Sequence, residues 1–447
     1  MTDDTRTLTL LGDIVGKAIT AGADAADALF VEGVSLVLAQ RLGEREHLDR
    51  AESTDLGLRV FIGPRQAIVS SSDVSPAALD ELVERAVAMA RSVPEDPQCG
   101  LADPEQLATD FPDLDVCDDT EPSVDILGDR AARAEDAARE VPGVTNSDGA
   151  EAGWSRTNVT LLASNGFGRS RAGSRHSLSV SMVAGGNTAM ERDYDYATMV
   201  FGEDLPPAEE IGRSAGEKAV ARLNPKKAQS AQVPVVYDPR VANTLIRHLA
   251  GAISGDAVAR STTFLKDKLG KKVFPDGVTV VDDPLRRRGL MSKSFDGEGV
   301  QTATRNLVDK GVLTTWVMDL RSARRLGLET TGHAGRGTSS PPSPSTTNLY
   351  LKAGSVTPKE LMADIKQGLY ITELMGFGVN GITGDYSRGA SGFWIENGAI
   401  AHPVSEVTIA GNLVDMFLNL TPADDLDFRY GTNAPTVRVE GMTVAGR

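Results

Sequence analysis

The sequence predicts an α+β protein with an N-terminal α/β domain over residues 1–228. A β-rich, sandwich- or barrel-like C-terminal domain follows over residues 229–447. Three observations support this class. Helical and strand patterns alternate through the first half of the chain, and short β runs separated by glycine-rich turns fill most of the second half. Between the halves, the polar and turn-prone segment 224–232 indicates a domain boundary.

The N-terminal half carries the pattern of a sheet with helices. Apolar residues at helical spacing open it, stretches rich in Val, Leu and Phe indicate strands, and Ser75 and Ser123 precede two helices as N-caps. The predicted helices cover 8–21, 76–92, 124–140 and 207–223, and the predicted strands cover 28–40, 56–61, 66–71, 143–162, 166–185 and 194–201. The acidic stretch 93–123 contains five prolines and is predicted to be a long loop.

The C-terminal half is dominated by short predicted strands. The predicted strands cover 233–237, 277–282, 311–319, 348–352, 368–374, 393–395 and 399–402, and the predicted helices cover 240–253 and 357–366. Four glycines and a Phe-Trp pair lie within segment 384–398. Because dense glycine permits positive φ and a close approach of the backbone, we expect residues 384–392 to form a loop that lines a site. The Phe393-Trp394-Ile395 run then predicts a buried strand.

Composition excludes several classes of protein. The 447 residues include 46 basic and 62 acidic side chains, and the net charge of −16 disfavours binding to nucleic acid. The two cysteines, Cys99 and Cys117, lack CxxC spacing and a neighbouring histidine, so neither a zinc knuckle nor a disulfide framework is predicted. We find no signal peptide and no apolar run of about 20 residues, which predicts a cytoplasmic protein without membrane contact.

Familiar catalytic motifs are missing. The sequence contains no HExxH, HExxxH, GxxxxGK[ST] or GxSxG pattern. Residues 376–381 fit GxGxxG, with Glu396 about 20 residues after the first glycine, but no predicted helix follows to bind a pyrophosphate. We therefore reject a dinucleotide site.

Isolated histidines and serines give weak signals. We expect His248 to lie on a helix surface or between helices and His333 to lie in a solvated loop, although either could contact a ligand. Ser387 and Ser391 could be presented beside backbone N–H groups for nucleophilic chemistry. The alternative, which we favour, is that they bond turn backbone groups.

Several segments in order resemble the signatures of the TldD/PmbA family, and the resemblance spans essentially the whole chain. They are LGLRVF (56–61), SNGF (164–167), LGLETTGHA (326–334), GITGDYSRGASGFWIENG (381–398) and EGMTVAG (440–446). The resemblance implies an N-terminal α/β domain, a β-rich C-terminal domain and dimers that enclose a cavity. It further implies a metalloprotease in which TldD, with zinc held by a helical HExxxH motif and a cysteine, pairs with PmbA, also called TldE. Together they cut peptides and unstructured polypeptides.

The expected metal ligands are replaced in this sequence. Aligned on Gly255-Asp256, Ile246 stands where the family has its first histidine, Arg247 where it has glutamate, and Gly251 where it has its second histidine. Isoleucine and glycine offer no ligand, and arginine cannot replace glutamate as a base. No cysteine follows Cys117. In lacking these ligands the sequence resembles the PmbA/TldE branch of the family. The segment YSRGASGFW (386–394) also resembles that branch.

We therefore predict a PmbA/TldE-type subunit with no catalytic residue and no cofactor of its own, whose TldD-type partner carries the zinc. The chain would form a heterodimer with that partner, or a homodimer when isolated, and would bind peptide substrates. Extended peptide would add as a strand to exposed backbone of the glycine-rich segment. Arg336 and Arg388 either contact its carbonyl or acidic groups or have structural roles, and both alternatives stay open. The predicted cavity residues are Arg336, Tyr386, Ser387, Arg388, Gly389 and Trp394.

Two other functions stay open. One is a stand-alone peptidase or hydrolase with an unrecognised site. The other is a regulator associated with DNA gyrase, as the older family label "modulator of DNA gyrase" suggests. The net charge of −16 argues against direct DNA binding by such a regulator.

Overall fold

The computed structural model describes residues 3–187 and 189–446. Its N-terminal part is a sheet with helices on one face. The helices are α1 (Asp3–Thr20), α2 (Pro76–Ser92), α3 (Val124–Arg139) and α4 (Ala208–Ala221). The strands are β1 (Ala25–Arg41), β2 (Glu44–Ile62), β3 (Arg65–Ser71), β4 (Val144–Ala163), β5 (Gly168–Ala184) and β6 (Glu191–Met199). They form one antiparallel sheet in the order β3-β2-β1-β4-β5-β6.

Apolar helix faces attach the four helices to this sheet. Helices α1 and α2 pack on β1–β3 through a cluster that includes Leu11, Leu82 and Leu58. Helices α3 and α4 pack on β1, β4 and β5 through a cluster that includes Leu127 and Leu178. Burying such stripes against a sheet is the main driving force for this arrangement. The opposite face of the sheet is turned toward the C-terminal part.

The C-terminal part contains two larger sheets, one two-stranded sheet and several helices. The strands are β7 (Ala231–Tyr237), β8 (Val280–Asp282), β9 (Arg305–Asp309), β10 (Val312–Leu313), β11 (Ala334–Gly335), β12 (Ser343–Pro344), β13 (Leu349–Leu351), β14 (Gln367–Met375), β15 (Asp385–Glu396), β16 (Ala399–Asn412), β17 (Leu420–Pro422), β18 (Thr432–Asn433) and β19 (Val437–Ala445). The helices are α5 (Pro239–Ala252), α6 (Gly255–Ala259), α7 (Leu320–Leu326), α8 (Pro358–Met362) and α9 (Leu413–Leu418).

Five of these strands close into a barrel. Strands β16-β15-β14-β7-β19 are neighbours in that order, and β16 also pairs with β19. Strand β17 adds to the outside of this ring through β19, and β7 and β14 run parallel. The other sheet has the order β10-β9-β8-β13-β18. Helix α5 packs into the core that both sheets share, through Leu245, Ile246 and Leu249. The α+β class with a barrel-like C-terminal region is thus confirmed.

Two local predictions are wrong. Residues 385–392 are not a loop but the first part of β15, because their glycines let the neighbouring backbone approach closely. The predicted strand 311–319 is cut short after Leu313. Asp319 instead caps α7, and its carboxylate accepts the Ser322 N–H at 2.8 Å.

The β-rich and α/β parts touch through an extended interface. On the sheet face turned away from the helices, Leu29 and Leu161 pack with Phe167 and Phe295, whose ring centroids lie 5.1 Å apart. Helix α4 ends at Ala221 and β7 begins at Ala231, on either side of the predicted boundary at 228/229. That boundary itself stays a prediction. In the part of the chain that the structure describes, no helix has the length and apolar character to cross a membrane.

Candidate cavity beside helix α5

A cavity of about 400 Å³ opens where helix α5 meets the barrel. Helix α5 contributes one wall, the segment after α6 a second, and the β14–β15 turn with β15 and α9 the rest. The lining residues are Arg247, His248, Gly251, Ala252, Thr262, Thr263, Phe264, Phe377, Val379, Gly381, Arg388 and Leu413. A volume of this order accommodates a few atoms of a peptide side chain and backbone, as small-ligand sites do.

The structure brings three of the predicted residues together here. Arg247 and Gly251 of α5 and Arg388 of β15 line the same cavity. A Cβ at Gly251 would meet no atom within 4 Å, so this position leaves the cavity wall open. Ile246 does not join them, because the helix turns its side chain into the core, where it is fully buried.

Two guanidinium groups and one imidazole set the electrostatics of the cavity. Arg388 is anchored by its Nε, which donates to the Met375 carbonyl oxygen at 3.1 Å. Burial lowers the pKa of His248, and the charges of Arg388 and Arg247 lower it further. His248 is therefore a neutral imidazole at neutral pH. Among the described residues, its buried Nε2 has no hydrogen-bond partner.

His248 is half-buried where helix α5 packs against strand β15. Its ring meets the edge of Tyr386, with centroids 6.0 Å apart. Tyr386 is fully buried, and burial raises the pKa of its hydroxyl to about 12. His248 therefore lines the cavity, and Tyr386 lies behind it in the core.

The other predicted residues of β15 belong to the barrel wall. Ser387 is exposed, and its N–H donates to the Gly378 carbonyl oxygen at 2.6 Å. Gly389 pairs with Met375 of β14 and with Thr408 of β16. Trp394 is buried in the core shared by the two C-terminal sheets. Ser387, Gly389 and Trp394 therefore support the cavity from the barrel wall. Of the predicted residues on β15, Arg388 is the one that lines the cavity.

Arg336 lies elsewhere, which corrects its predicted contact with peptide. Its side chain is 1% exposed, and its Nη1 lies 2.6 Å from Asp27 Oδ1 of the N-terminal sheet. Burial lowers the pKa of Arg336, while the Asp27 charge raises it. Arg336 therefore acts as a structural cation between the two parts of the molecule, because no peptide could reach it there.

His333 is also not a solvated loop residue. It is 2% exposed, its Nδ1 lies 2.9 Å from the Thr331 hydroxyl, and its Nε2 lies 3.1 Å from Asp282 Oδ2. The sequence suggested a loop because His333 lies in a glycine-rich stretch. The prediction failed because His333 is buried against Asp282, which is distant in the sequence. Both ring nitrogens are occupied, which leaves it no free atom for a ligand.

Strand addition at the glycine-rich segment is also wrong. Strand β15 pairs with β14 on one side and with β16 on the other. Because the barrel is closed, this backbone has no free edge where an extended peptide could add. Contact with a peptide at this place would have to come from side chains and turns.

The donor set in the cavity does not fit a zinc ion. Zinc sites need three or four imidazole, thiolate or carboxylate ligands, and the cavity offers one imidazole beside two guanidinium groups. Within residues 3–187 and 189–446, no three His, Cys, Asp or Glu side chains come together in a way that could hold a metal ion. We derive no chemical step through a metal bound to this chain.

Sequence reasoning missed the apolar part of the cavity. Phe264, Phe377 and Leu413 come from three separate segments, so no local motif links them. Phe377 is fully exposed at the β14–β15 turn. The sequence did contain a signal for this exposed residue, because an aromatic side chain inside a glycine-rich turn is not expected to be buried. An exposed aromatic side chain of this kind can indicate a binding surface.

Comparisons with known proteins agree with this fold. The chain matches sequence models of the PmbA/TldA metallopeptidase domain 1 over residues 26–90, the central domain over 114–223 and the C-terminal domain over 230–446. These matches place it in a class of bacterial and archaeal metallopeptidase-related proteins. The chain belongs to the PmbA/TldD metallopeptidase family.

Relatives within the family are proteins called metalloprotease PmbA. The Escherichia coli O157:H7 protein is 39% identical over 428 residues, covering 95% of this chain and 93% of its own length. The homologue from Haemophilus influenzae is 39% identical over 439 residues, covering 97% and 94%.

Solved structures show the same fold. A Bacteroides thetaiotaomicron protein described as a candidate modulator of DNA gyrase superposes with a TM-score of 0.91 at 27% identity, over 100% of both chains. TldE from Thermococcus kodakarensis superposes with a TM-score of 0.87 over 98% of this chain and 100% of its own, at 21% identity, which supports the fold alone.

Proposed function

We propose that this chain is the non-catalytic, PmbA/TldE-type subunit of a two-subunit peptidase in the cytoplasm. A TldD-type partner would supply the zinc site. The observation that supports this proposal is the cavity beside α5, which Arg247 and Gly251 line while Ile246 lies in the core. By the resemblance in sequence, these three residues take the places of the family's glutamate, second histidine and first histidine. A cavity with a cation in place of that glutamate, and with no ligand in place of those histidines, is suited to binding substrate rather than to activating water.

The chemistry of the cavity favours an acidic or extended peptide. Arg247 and Arg388 present guanidinium groups, which bind carboxylates and carbonyl oxygens with paired N–H donors. Phe264, Phe377 and Leu413 offer apolar surface to neighbouring side chains. Because peptide backbone and carboxylate groups recur in every unfolded chain, such contacts give affinity with little sequence preference.

The test measures zinc content and peptidase activity. The purified chain would be assayed alone, and then mixed with the TldD-type protein of the same organism, against an unstructured peptide. We expect no stoichiometric zinc and no cleavage by the isolated chain. The mixture should cleave the peptide faster than the TldD-type protein alone, and the two chains should co-elute in size-exclusion chromatography.

Variants of the cavity sharpen this test. Arg388→Ala and Arg247→Ala should each raise the KM of the mixture about tenfold, since a charged hydrogen bond to substrate is lost. Arg213→Ala, on the exposed face of α4, serves as the matched control and should leave KM unchanged. Stoichiometric zinc in the isolated chain, together with chelator-sensitive cleavage, would overturn the proposal and favour a stand-alone peptidase.

A further inference from the structure

A second cavity, of about 370 Å³, lies between the N-terminal sheet and the C-terminal part of the chain. Strands β4 and β5 form one wall. Residues 289–293 of the C-terminal part form the opposite wall, and Val116 and Val200 close its sides. This cavity shares no lining residue with the one beside α5, and its interpretation does not depend on the proposed function.

The register of β4 and β5 sets the chemistry of the first wall. Directly opposite residues share a sheet face, as do residues two apart along a strand. The pairs on the cavity face are Val159 with Arg171, Thr157 with Gly173 and Ser155 with Arg175. Two guanidinium groups and two hydroxyl groups are therefore presented on one surface. Gly173 has no side chain, which leaves space between the two arginines.

The cavity is cationic in a strongly acidic protein. Arg171, Arg175 and Lys293 line it, and none of the lining residues is a carboxylate. The Arg171 side chain is exposed to solvent, although the protein packed around it still lowers its pKa. Among the described residues, no Asp or Glu forms an ion pair with Arg171. Cations that lie close together without a counter-ion repel each other, and a bound anion would relieve that repulsion.

The acidic groups near Lys293 are already occupied. Burial lowers the pKa of Lys293, the Arg171 charge lowers it further, and Asp296 and Asp282 raise it. Asp296, however, accepts hydrogen bonds from three backbone N–H groups. Asp282 accepts from the N–H and the hydroxyl of Thr347 and faces His333. The Lys293 ammonium has only a 3.4 Å contact to the Ala334 carbonyl oxygen.

The adjoining surface does not neutralise the cavity either. A neighbouring cavity shares Arg171 and carries Asp113 and Asp115. Asp115 is bound by the guanidinium groups of Arg287 and Arg288, at 3.4 and 2.8 Å. Asp113 accepts the Asp115 N–H at 3.0 Å.

We propose that this interdomain cavity binds a small molecule with two or more anionic groups, either phosphates or carboxylates. Arg171 and Lys293 bind one anionic group, Arg175 binds a second, and the hydroxyls of Ser155 and Thr157 donate to its oxygens. Arginine and lysine beside hydroxyls are the usual donors for such groups. A volume of about 370 Å³ exceeds a single phosphate and lies in the range of small-molecule sites.

Calorimetry with the full chain tests this site. Pyrophosphate and citrate serve as the phosphate and carboxylate probes, and chloride at equal ionic strength serves as the blank. We expect saturable binding with one site per chain, and the tighter of the two probes identifies the source of the anion. Arg171→Gln and Arg175→Gln should each weaken that binding about tenfold or more. Arg85→Gln, on the exposed face of α2, removes the same charge and should not weaken it.

A second measurement uses the protein without added anion. Arg171→Gln should raise the Tm there, because it removes the repulsion between the Arg171 charge and the Lys293 ammonium, while Arg85→Gln should leave the Tm unchanged. Absence of saturable binding of both probes to the wild-type chain would overturn the proposal. Equal weakening by Arg85→Gln and by the two cavity variants would also overturn it, since binding would then follow net charge alone.

Discussion

At the scale of single residues, buried charges join the two parts of the molecule. Asp27 of β1 accepts from Arg59 Nε at 2.9 Å through Oδ2, and Arg336 Nη1 lies 2.6 Å from its Oδ1. Arg59 also faces Glu298, at 3.7 Å. All four side chains are at most 3% exposed, so the charge of Asp27 balances the two guanidinium groups in part, and Glu298 adds a second negative charge only when it is ionised.

Removing the central carboxylate should strongly destabilise the protein. Asp27→Asn leaves two guanidinium groups with Glu298 alone, and breaking such a buried pair costs about 3–5 kcal/mol. The free energy of unfolding in urea measures this loss. Asp80→Asn is the control, because its pair with Lys17 is well exposed and contributes at most about 1 kcal/mol. Equal losses in the two variants would contradict the balanced cluster.

Glu298 should give the stability a pH dependence. Burial raises its pKa to about 8, despite the opposing charge of Arg59, and Asp296 and Asp319 raise it further. In the unfolded chain its pKa is near 4.5. Between these values the folded protein holds a proton that the unfolded chain has lost. The free energy of unfolding therefore falls as pH rises from about 4.5 to 8, by at most about 1.4 kcal/mol per pH unit.

Glu298→Gln tests this dependence, because glutamine can still accept the Leu320 N–H but cannot titrate. Urea unfolding between pH 5 and 9 gives the free energy of unfolding as a function of pH. Between pH 5 and 8 this free energy should fall less steeply with pH in the variant than in the wild type. Glu84→Gln, on the exposed face of α2, should keep the wild-type slope. If the free energy of unfolding changes with pH in the same way in the wild type and in Glu298→Gln, the pKa of Glu298 is not raised in the folded protein.

At the scale of elements, the glycine-rich strand β15 depends on close backbone packing. A Cβ at Gly392 would lie 2.0 Å from the Tyr370 carbonyl oxygen and 2.8 Å from the Ile371 Cα of β14. Irregular pairing occurs beside this glycine on both sides of the strand. Glycine is required here because the neighbouring backbone occupies the side-chain position, while its φ needs no special conformation.

Gly392→Ala should therefore destabilise the barrel. The methyl group forces the two strands apart, and we expect a loss of about 3 kcal/mol or more, at the upper end of overpacking effects. Thermal unfolding monitored by circular dichroism measures it. Gly381→Ala has open space around its Cβ and a negative φ, so its Tm should stay within about 1 °C of wild type. A Gly392→Ala protein as stable as Gly381→Ala would refute this packing.

The same strand shows where sequence reasoning succeeds and fails. Helix α5 was predictable, because Asp238 caps it, Pro239 begins it, and Leu245 and Leu249 repeat at helical spacing. The end of strand β15 was also predictable from Phe393-Trp394-Ile395. Its first part, residues 385–392, was not, because glycine is depleted in strands and the pairing with β14 and β16 is a tertiary property. The burial of Arg336 likewise depends on Asp27, which lies in the other half of the sequence.

Some of the residues that line the cavity beside α5 could be predicted from the sequence, and others could not. Arg247 and Gly251 followed from comparing the α5 segment with the family's metal-binding motif, and Arg388 from the glycine-rich segment. Phe377 and Leu413 did not follow, because only the folded barrel brings the β14–β15 turn and α9 beside α5. The interdomain cavity was missed altogether, since its walls come from β4, β5 and residues 289–293.

At the scale of the whole molecule, ion pairs fasten the N-terminal sheet to the barrel side. Arg240 of α5 reaches Asp193 of β6 at 2.7 Å, and Asp193 is 2% exposed. Burial alone would raise the pKa of Asp193, but the hydrogen bonds and charge of Arg240 hold it below its usual value. Arg222, just after α4, reaches Glu373 of β14 at 2.7 Å. With the Asp27 cluster on the inner strand β1, these contacts cross the interface both within the sheet and at its β6 edge.

We therefore expect the two parts to unfold as one unit in the wild-type chain. Native-state hydrogen exchange should give the slowest amides of β1 and β15 the same free energy of opening. Asp193→Asn leaves Arg240 without its buried partner, which costs about 3–5 kcal/mol and weakens the interface. The opening free energies of β1 and β15 should then differ. Asp148→Asn, which breaks the exposed pair with Arg192 inside the same sheet, should keep them equal. Unequal values in the wild type would show that the interface does not couple the two parts.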